Sequence, residues 1–143
     1  MSRIYWDSML FIYLVEKNST FGPRVMQILA RMDQRGDRLY TSMFTFGEVL
    51  VGARKHKWTQ IEDEIRILFL NSNSAITLLP FTVDVADRYA TIRATIRIDP
   101  PDAIHLATAA VEGVDMFLTN DRSLARKTVP GIGFISDLTT APL

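Results

Sequence analysis

The sequence contains no cysteine, and this absence excludes two classes of structure. Without thiols the chain can form neither a disulfide framework nor a thiolate-bound metal site such as a zinc finger. Any metal ion must therefore be bound without cysteine sulfur. The lack of disulfides leaves the compartment open and fits a reducing cytoplasm.

An excess of one charge is also lacking, because 16 Lys and Arg residues balance 16 Asp and Glu residues. Overall charge therefore neither supports nor excludes nucleic-acid binding through phosphate groups. Two local basic clusters are more informative, one at residues 54–57 and one formed by Arg122, Arg126 and Lys127. Solvated helix ends account for most clusters of this kind, so neither cluster alone indicates a binding surface.

No apolar run approaches the roughly 18 residues that a membrane span requires. The stretch at residues 9–15 is short and is flanked by Asp7 and Glu16, so we interpret it as a buried helix rather than a signal-peptide core. We therefore expect a cytoplasmic protein with no membrane association. A length of 143 residues with 48% hydrophobic content predicts one globular domain over residues 1–143.

What the sequence does contain is an alternation of short apolar segments with longer amphipathic segments. The short segments are predicted to be strands, at residues 4–6, 39–41, 76–79, 116–118 and 133–135. The longer segments are predicted to be helices, at residues 8–15, 20–36, 45–57, 61–69, 82–97, 102–112 and 123–127. Strands that alternate with helices in this way indicate an α/β fold, a parallel sheet with helices on both faces.

Four acidic residues lie in apolar or small-residue surroundings: Asp7, Glu48, Asp102 and Asp121. Carboxylates are rarely buried without a partner, so a divalent cation is the leading candidate for neutralising them. Asp7 and Asp121 follow predicted strands, and ligands of open parallel sheets bind beyond the carboxyl ends of the strands. If these two strands are neighbours, both carboxylates lie within reach of one ion.

Each acid also has a structural interpretation. Asp7 and Asp121 precede helices that they can cap, and Asp102 lies in a first helical turn, where the helix dipole favours negative charge. Glu48 is harder to explain because it lies inside a helix among apolar neighbours, although a narrow exposed stripe can accommodate it. We interpret His105, three residues after Asp102, as packing against or hydrogen-bonding to the rim of the site rather than as a catalytic group.

Each of the four acids lies in a segment with a recognisable pattern. The segments are, in order, a hydrophobic strand ending in Asp7-Ser8, Thr45-x-x-Glu48-x-x-x-Gly52, Asp102-Ala103-Ile104-His105-Leu106-Ala107-Thr108-Ala109, and Leu118-Thr119-Asn120-Asp121. Together they resemble a PIN domain, and specifically the VapC type of toxin nuclease from bacterial and archaeal toxin–antitoxin pairs. The resemblance covers essentially the whole chain, and no single segment is specific without the others.

The resemblance implies a three-layer α/β/α sandwich on a parallel sheet of about five strands, and a metal-dependent ribonuclease activity. The four acids would be the catalytic residues and would bind Mg²⁺, or Mn²⁺ in its place, through hard carboxylate oxygens. Ser8, Thr119 and Asn120 would support this site. Four converging acids without an ion are expected to raise the pKa of at least one of them. The implied partners are RNA, a second copy of the chain and an inhibitory VapB-like antitoxin.

Other acid-bearing α/β families fit less well. A receiver-type phosphoacceptor domain needs paired acids after its first strand, and a phosphatase of the haloacid dehalogenase type needs Asp-x-Asp there, whereas this chain has Asp7-Ser8-Met9. The remaining alternative is a catalytically inactive PIN-fold module that binds RNA or protein. Retention of all four acids disfavours that alternative, because an inactive relative would have little reason to keep uncompensated charge.

Overall fold

Five short strands form one sheet in the computed structural model, which describes residues 1–143. The strands are Arg3–Trp6 (β1), Arg38–Ser42 (β2), Ile76–Leu79 (β3), Met116–Thr119 (β4) and Phe134–Asp137 (β5). The helices between them are Ser8–Val15 (α1), Gly22–Arg35 (α2), Met43–Lys55 (α3), Thr59–Leu70 (α4), Val83–Thr95 (α5), Pro100–Glu112 (α6) and Arg122–Ala125 (α7). No helix combines the length and apolarity needed to cross a bilayer.

All the strands are parallel, in the order β3-β2-β1-β4-β5, with β1 at the centre. Tyr5 of β1 pairs with Tyr40 of β2 on one side and with Phe117 of β4 on the other. The carboxyl ends of β1 and β4 are therefore adjacent, which is the condition under which Asp7 and Asp121 were expected to approach one another.

Alternating side chains along β1 face opposite layers, as the two-residue period of a strand requires. Ile4 and Trp6 pack into a core shared with α1, α2, α3 and α4. Tyr5 faces the other way, into a core that includes residues of α5, α6 and α7, and stacks on Phe117 with ring centroids 5.0 Å apart. Helices thus cover both faces, and the predicted three-layer α/β/α sandwich with five parallel strands is confirmed.

Local sequence features mark where two of the helices begin: a capping serine for α3, and prolines in the first turn for α6. α3 begins at Met43, two residues earlier than predicted, because the Ser42 hydroxyl accepts a hydrogen bond from the backbone N–H of Thr45 and caps the helix. α6 begins at Pro100, two residues earlier than predicted. Asp99 is the N-cap residue of this helix, but its side chain makes no capping hydrogen bond.

Candidate functional site

Asp7 directly follows the central strand, and its backbone and both carboxylate oxygens make hydrogen bonds. Its backbone N–H continues the sheet by donating to the Leu118 carbonyl at 3.0 Å. One carboxylate oxygen, Oδ1, accepts from the Ser8 backbone N–H at 2.7 Å and caps α1. The other oxygen, Oδ2, accepts from the Thr119 hydroxyl at 2.9 Å. The carboxylate is therefore buried and held in one orientation at the carboxyl edge of the sheet.

Thr119, the last residue of β4, connects Asp7 to Asp121. Its hydroxyl donates to Asp7 and accepts from the Asp121 backbone N–H at 3.1 Å. Asp121 is exposed and caps α7, and hydrogen bonds from Ser123, together with others from the backbone of that turn, hold its pKa below the usual range. The side-chain amide of Asn120 donates to the Tyr13 hydroxyl at 2.6 Å and makes no hydrogen bond to the four acids.

Glu48 reaches the site from the opposite helix layer and meets His105 of α6. His105 Nε2 lies 2.6 Å from Glu48 Oε1 and 3.7 Å from Asp7 Oδ1. The Glu48 side chain is 27% exposed, whereas that of His105 is 1% exposed. His105 does hydrogen-bond at the site, as the sequence indicated, but it is buried between the acids rather than placed on a rim.

Asp102 is the acid whose charge is least compensated. It lies in the first turn of α6, partly buried, and unlike the other three acids it accepts no hydrogen bond from the protein. Burial, followed by the nearby charges of Asp7 and Asp121, raises the pKa of Asp102 to about 6. This is the effect expected of acids that converge without an ion.

The donor set suits a hard divalent cation. Asp7, Asp102 and Asp121 interact through their charges and offer only carboxylate oxygens, which Mg²⁺ and Mn²⁺ prefer. No three His, Asp or Glu side chains lie close enough together to enclose an ion directly. The chemistry of these residues therefore fits such an ion, although their side chains are too far apart to coordinate it completely.

The raised pKa of Asp102 leads to a prediction about stability in metal-free protein. Because the folded pKa of about 6 exceeds the ordinary value of 3.8, the folded state binds more protons between these values and loses stability as pH rises through them. Asp102→Asn should therefore raise the melting temperature, by more at pH 7.5 than at pH 4.5. Thermal unfolding in EDTA at several pH values measures this gain.

Asp121→Asn is the matched control, with the opposite sign. Its pKa is lowered in the folded protein, so the charged form stabilises the fold above the ordinary value of 3.8. Removing that charge should lower the melting temperature at pH 7.5. If Asp102→Asn raises the melting temperature equally at every pH, the charged form of Asp102 does not destabilise the folded protein.

Comparisons with known proteins agree with this architecture. The PIN domain family model matches residues 4–129. The fold is similar to VapBC2 from Rickettsia felis bound to a DNA fragment from its promoter, with a TM-score of 0.74 and 15% identity over 94% of this chain and 98% of that chain. It is also similar to a toxin–antitoxin complex from Klebsiella pneumoniae, with a TM-score of 0.67 and 23% identity over 90% and 94% of the two chains.

A third similar structure is VapC20 from Mycobacterium tuberculosis, described as a toxin that cleaves the sarcin–ricin loop. The TM-score is 0.70 and the identity 13%, over 85% of this chain and 92% of that chain. No curated protein matches the sequence significantly. At these identities the solved structures bear on the fold alone.

Proposed function

The chain belongs to the PIN domain family, and from that premise we propose that it is a VapC-type toxin, a ribonuclease that depends on Mg²⁺ or Mn²⁺. The observation that carries this proposal is the Asp102 carboxylate, which is partly buried beside two other acids with no hydrogen bond to stabilise its charge. Such a group is costly to a folded protein unless a ligand uses it. The fold of VapC20, a toxin that cleaves a defined loop, supports a nucleolytic toxin.

We assign different roles to the four acids. Asp7, Asp102 and Asp121 would hold the ion, and Glu48 would contribute the carboxylate oxygen that His105 leaves free. A bound divalent ion lowers the pKa of a water molecule and neutralises charge on a scissile phosphate. The contribution of Ser8 and Thr119 is to fix the Asp7 carboxylate, since each donates to one of its two oxygens.

One basic cluster would hold the RNA backbone beside the acids. Lys127 lies near enough to Asp121 for its charge to help lower the pKa of that carboxyl. Arg122 and Arg126 belong to the same exposed turn, where they are available to flanking phosphates. The other cluster is partly neutralised, because Arg54 pairs with Glu62 at 2.5 Å.

The proposed partners are a VapB-like antitoxin and a second copy of the chain. Similar folds come from structures of VapBC and other toxin–antitoxin complexes, which supports an antitoxin partner. Ile67 and Leu70 of α4 are large apolar residues that are at least half exposed, which supports a protein contact on that helix. Light scattering of the purified chain, alone and with the antitoxin, measures both assemblies.

The test of the proposed activity is RNA cleavage by purified protein. Single-stranded and structured RNAs should be cut in Mg²⁺ or Mn²⁺, cleavage should stop in EDTA, and excess Mg²⁺ should restore it. The products should carry a 5′-phosphate and a 3′-hydroxyl, because water rather than the ribose hydroxyl attacks. Cleavage that continues in EDTA would contradict a metal-dependent site, and RNA binding without cleavage would favour the inactive module.

A further inference from the structure

We propose that His105 is a positioning residue that fixes the Glu48 carboxylate in the site, and that Tyr5 sets the tautomer of its imidazole. The inference deepens the proposed ribonuclease function and rests on it. It is carried by hydrogen bonds at both ring nitrogens, which connect β1, α6 and α3 across the edge of the sheet.

The surroundings of Nε2 determine where the imidazole proton lies. Nε2 faces Glu48 Oε1 at 2.6 Å and Asp7 Oδ1 at 3.7 Å, and both are carboxylate oxygens that can only accept. Asp7 Oδ1 already accepts from the Ser8 N–H at 2.7 Å. The Nε2 proton is therefore donated to Glu48, in a charge-assisted hydrogen bond of the stronger kind.

The surroundings of Nδ1 complete the assignment. The Tyr5 hydroxyl lies 2.8 Å from Nδ1, and burial raises the pKa of Tyr5 far above its usual range, so the hydroxyl keeps its proton. Thr45 Oγ1 lies further away, at 3.5 Å. The Thr41 hydroxyl lies 2.8 Å from the Trp6 carbonyl oxygen and 2.7 Å from the Thr45 hydroxyl, so Thr45 already has a hydrogen-bond partner at closer range than Nδ1. With the Tyr5 hydroxyl as the nearest donor to Nδ1, the geometry assigns the Nε2 proton to the hydrogen bond with Glu48.

Packing then makes His105 a fixed support. Its side chain is 1% exposed, and its ring lies between those of Tyr5 and Phe44, with centroids 5.9 and 5.5 Å away. Glu48 has three rotatable side-chain bonds and is partly open to solvent, so without this hydrogen bond nothing else holds its carboxylate. One Glu48 oxygen is occupied by Nε2 and the other is left free for the reaction. His105 acts through Glu48, because neither ring nitrogen is free for substrate.

Two isosteric variants separate this role from simple packing. The side-chain amide of His105→Gln reaches the place of Nε2 and can still donate to Glu48, whereas that of His105→Asn reaches only the place of Nδ1. In Mg²⁺, His105→Asn should lower the kcat for RNA cleavage by about 10- to 100-fold, the usual cost of losing a partner that orients a site ligand. KM should change little, and His105→Gln should retain most of the activity.

The double variant His105→Asn/Glu48→Ala should be no slower than Glu48→Ala, because His105 contributes only through Glu48. Equal kcat values for His105→Asn and wild type, or losses that multiply in the double variant, would overturn the inference. Thermal unfolding of each variant separates lost activity from lost fold.

A nitrogen-15 NMR spectrum of the histidines in the wild-type protein, recorded with Mg²⁺, provides a readout independent of activity. It should show His105 as one neutral tautomer with its proton on Nε2, and the Nε2 signal should shift in Glu48→Ala. A proton on Nδ1 would overturn the inference even if no variant folds. Wild-type protein that cleaves no RNA would instead contradict the proposed function, while the spectrum would still decide the geometry.

Discussion

Asp7→Asn is expected to lower the kcat for RNA cleavage by about 10²- to 10³-fold, the cost typical of removing one group that stabilises charge in a transition state. Asp7 is the acid held most firmly, since both of its oxygens accept hydrogen bonds. Asparagine keeps an oxygen for the Ser8 N–H, so the cap of α1 survives, but its amide nitrogen cannot accept from Thr119, so that hydrogen bond is lost together with the charge. Single-turnover cleavage in saturating Mg²⁺ measures the change.

Asp33→Asn is the matched control for this experiment. Asp33 is an exposed acid near the end of α2, the helix that leads into the beginning of β2 and hence to the opposite edge of the sheet. The same chemical change there should leave cleavage unaltered. If Asp7→Asn stays folded and cleaves within a few-fold of wild type, Asp7 is not a central ligand and the ion would have to be bound elsewhere.

A large loss of stability from a small substitution is expected at Gly131. This residue has φ +98°, and a Cβ there would lie 2.6 Å from the Ala110 carbonyl oxygen and 3.1 Å from Arg88 Nη1. Backbone strain of about 1–3 kcal/mol and overpacking of about 1–3 kcal/mol should together lower the free energy of unfolding of Gly131→Ala by roughly 2–6 kcal/mol. Urea denaturation measures this, against the roughly 5–15 kcal/mol available to a domain.

Gly36→Ala isolates the backbone contribution. Gly36 ends α2 with φ +70°, but a Cβ there would meet nothing within 4 Å. Its substitution should cost only the left-handed conformation, about 1–2 kcal/mol. Equal losses for the two alanine variants would mean that the loop around Gly131 moves away from α6 without cost.

The sequence predicted the elements well because their apolar periods are local, and the positions of Asp7 and Asp121 beyond two strands followed from that pattern. It could not predict that these strands are neighbours. The hydrogen bond from Thr119 to Asp7 joins residues 112 positions apart, and pairing over such a distance depends on how the whole sheet is ordered. The predicted approach of Asp7 and Asp121 required β1 and β4 to be neighbours, and only the structure shows that they are.

The sequence also could not predict which partners the polar side chains meet. Asn120 follows a strand as Asp121 does, yet its amide is used by Tyr13 on α1. His105 was read as a rim residue because a helix period shows which face is apolar, not which partner a buried polar group meets. A signal was present, since Glu48 and His105 were two polar side chains in apolar segments with no local partner, and such groups tend to find each other.

The central place of β1 determines when the site can form during synthesis of the chain. β1 leaves the ribosome before the other strands, whereas α6, which carries Asp102 and His105, and β4, which leads to Asp121, come from the last third of these 143 residues. A nascent chain that has emerged only through α5 lacks both the strand that fixes Asp7 and the helix that fixes Glu48. In a protein proposed to be a ribonuclease, the site therefore stays incomplete until residues 100–119 have been synthesised and have folded against β1.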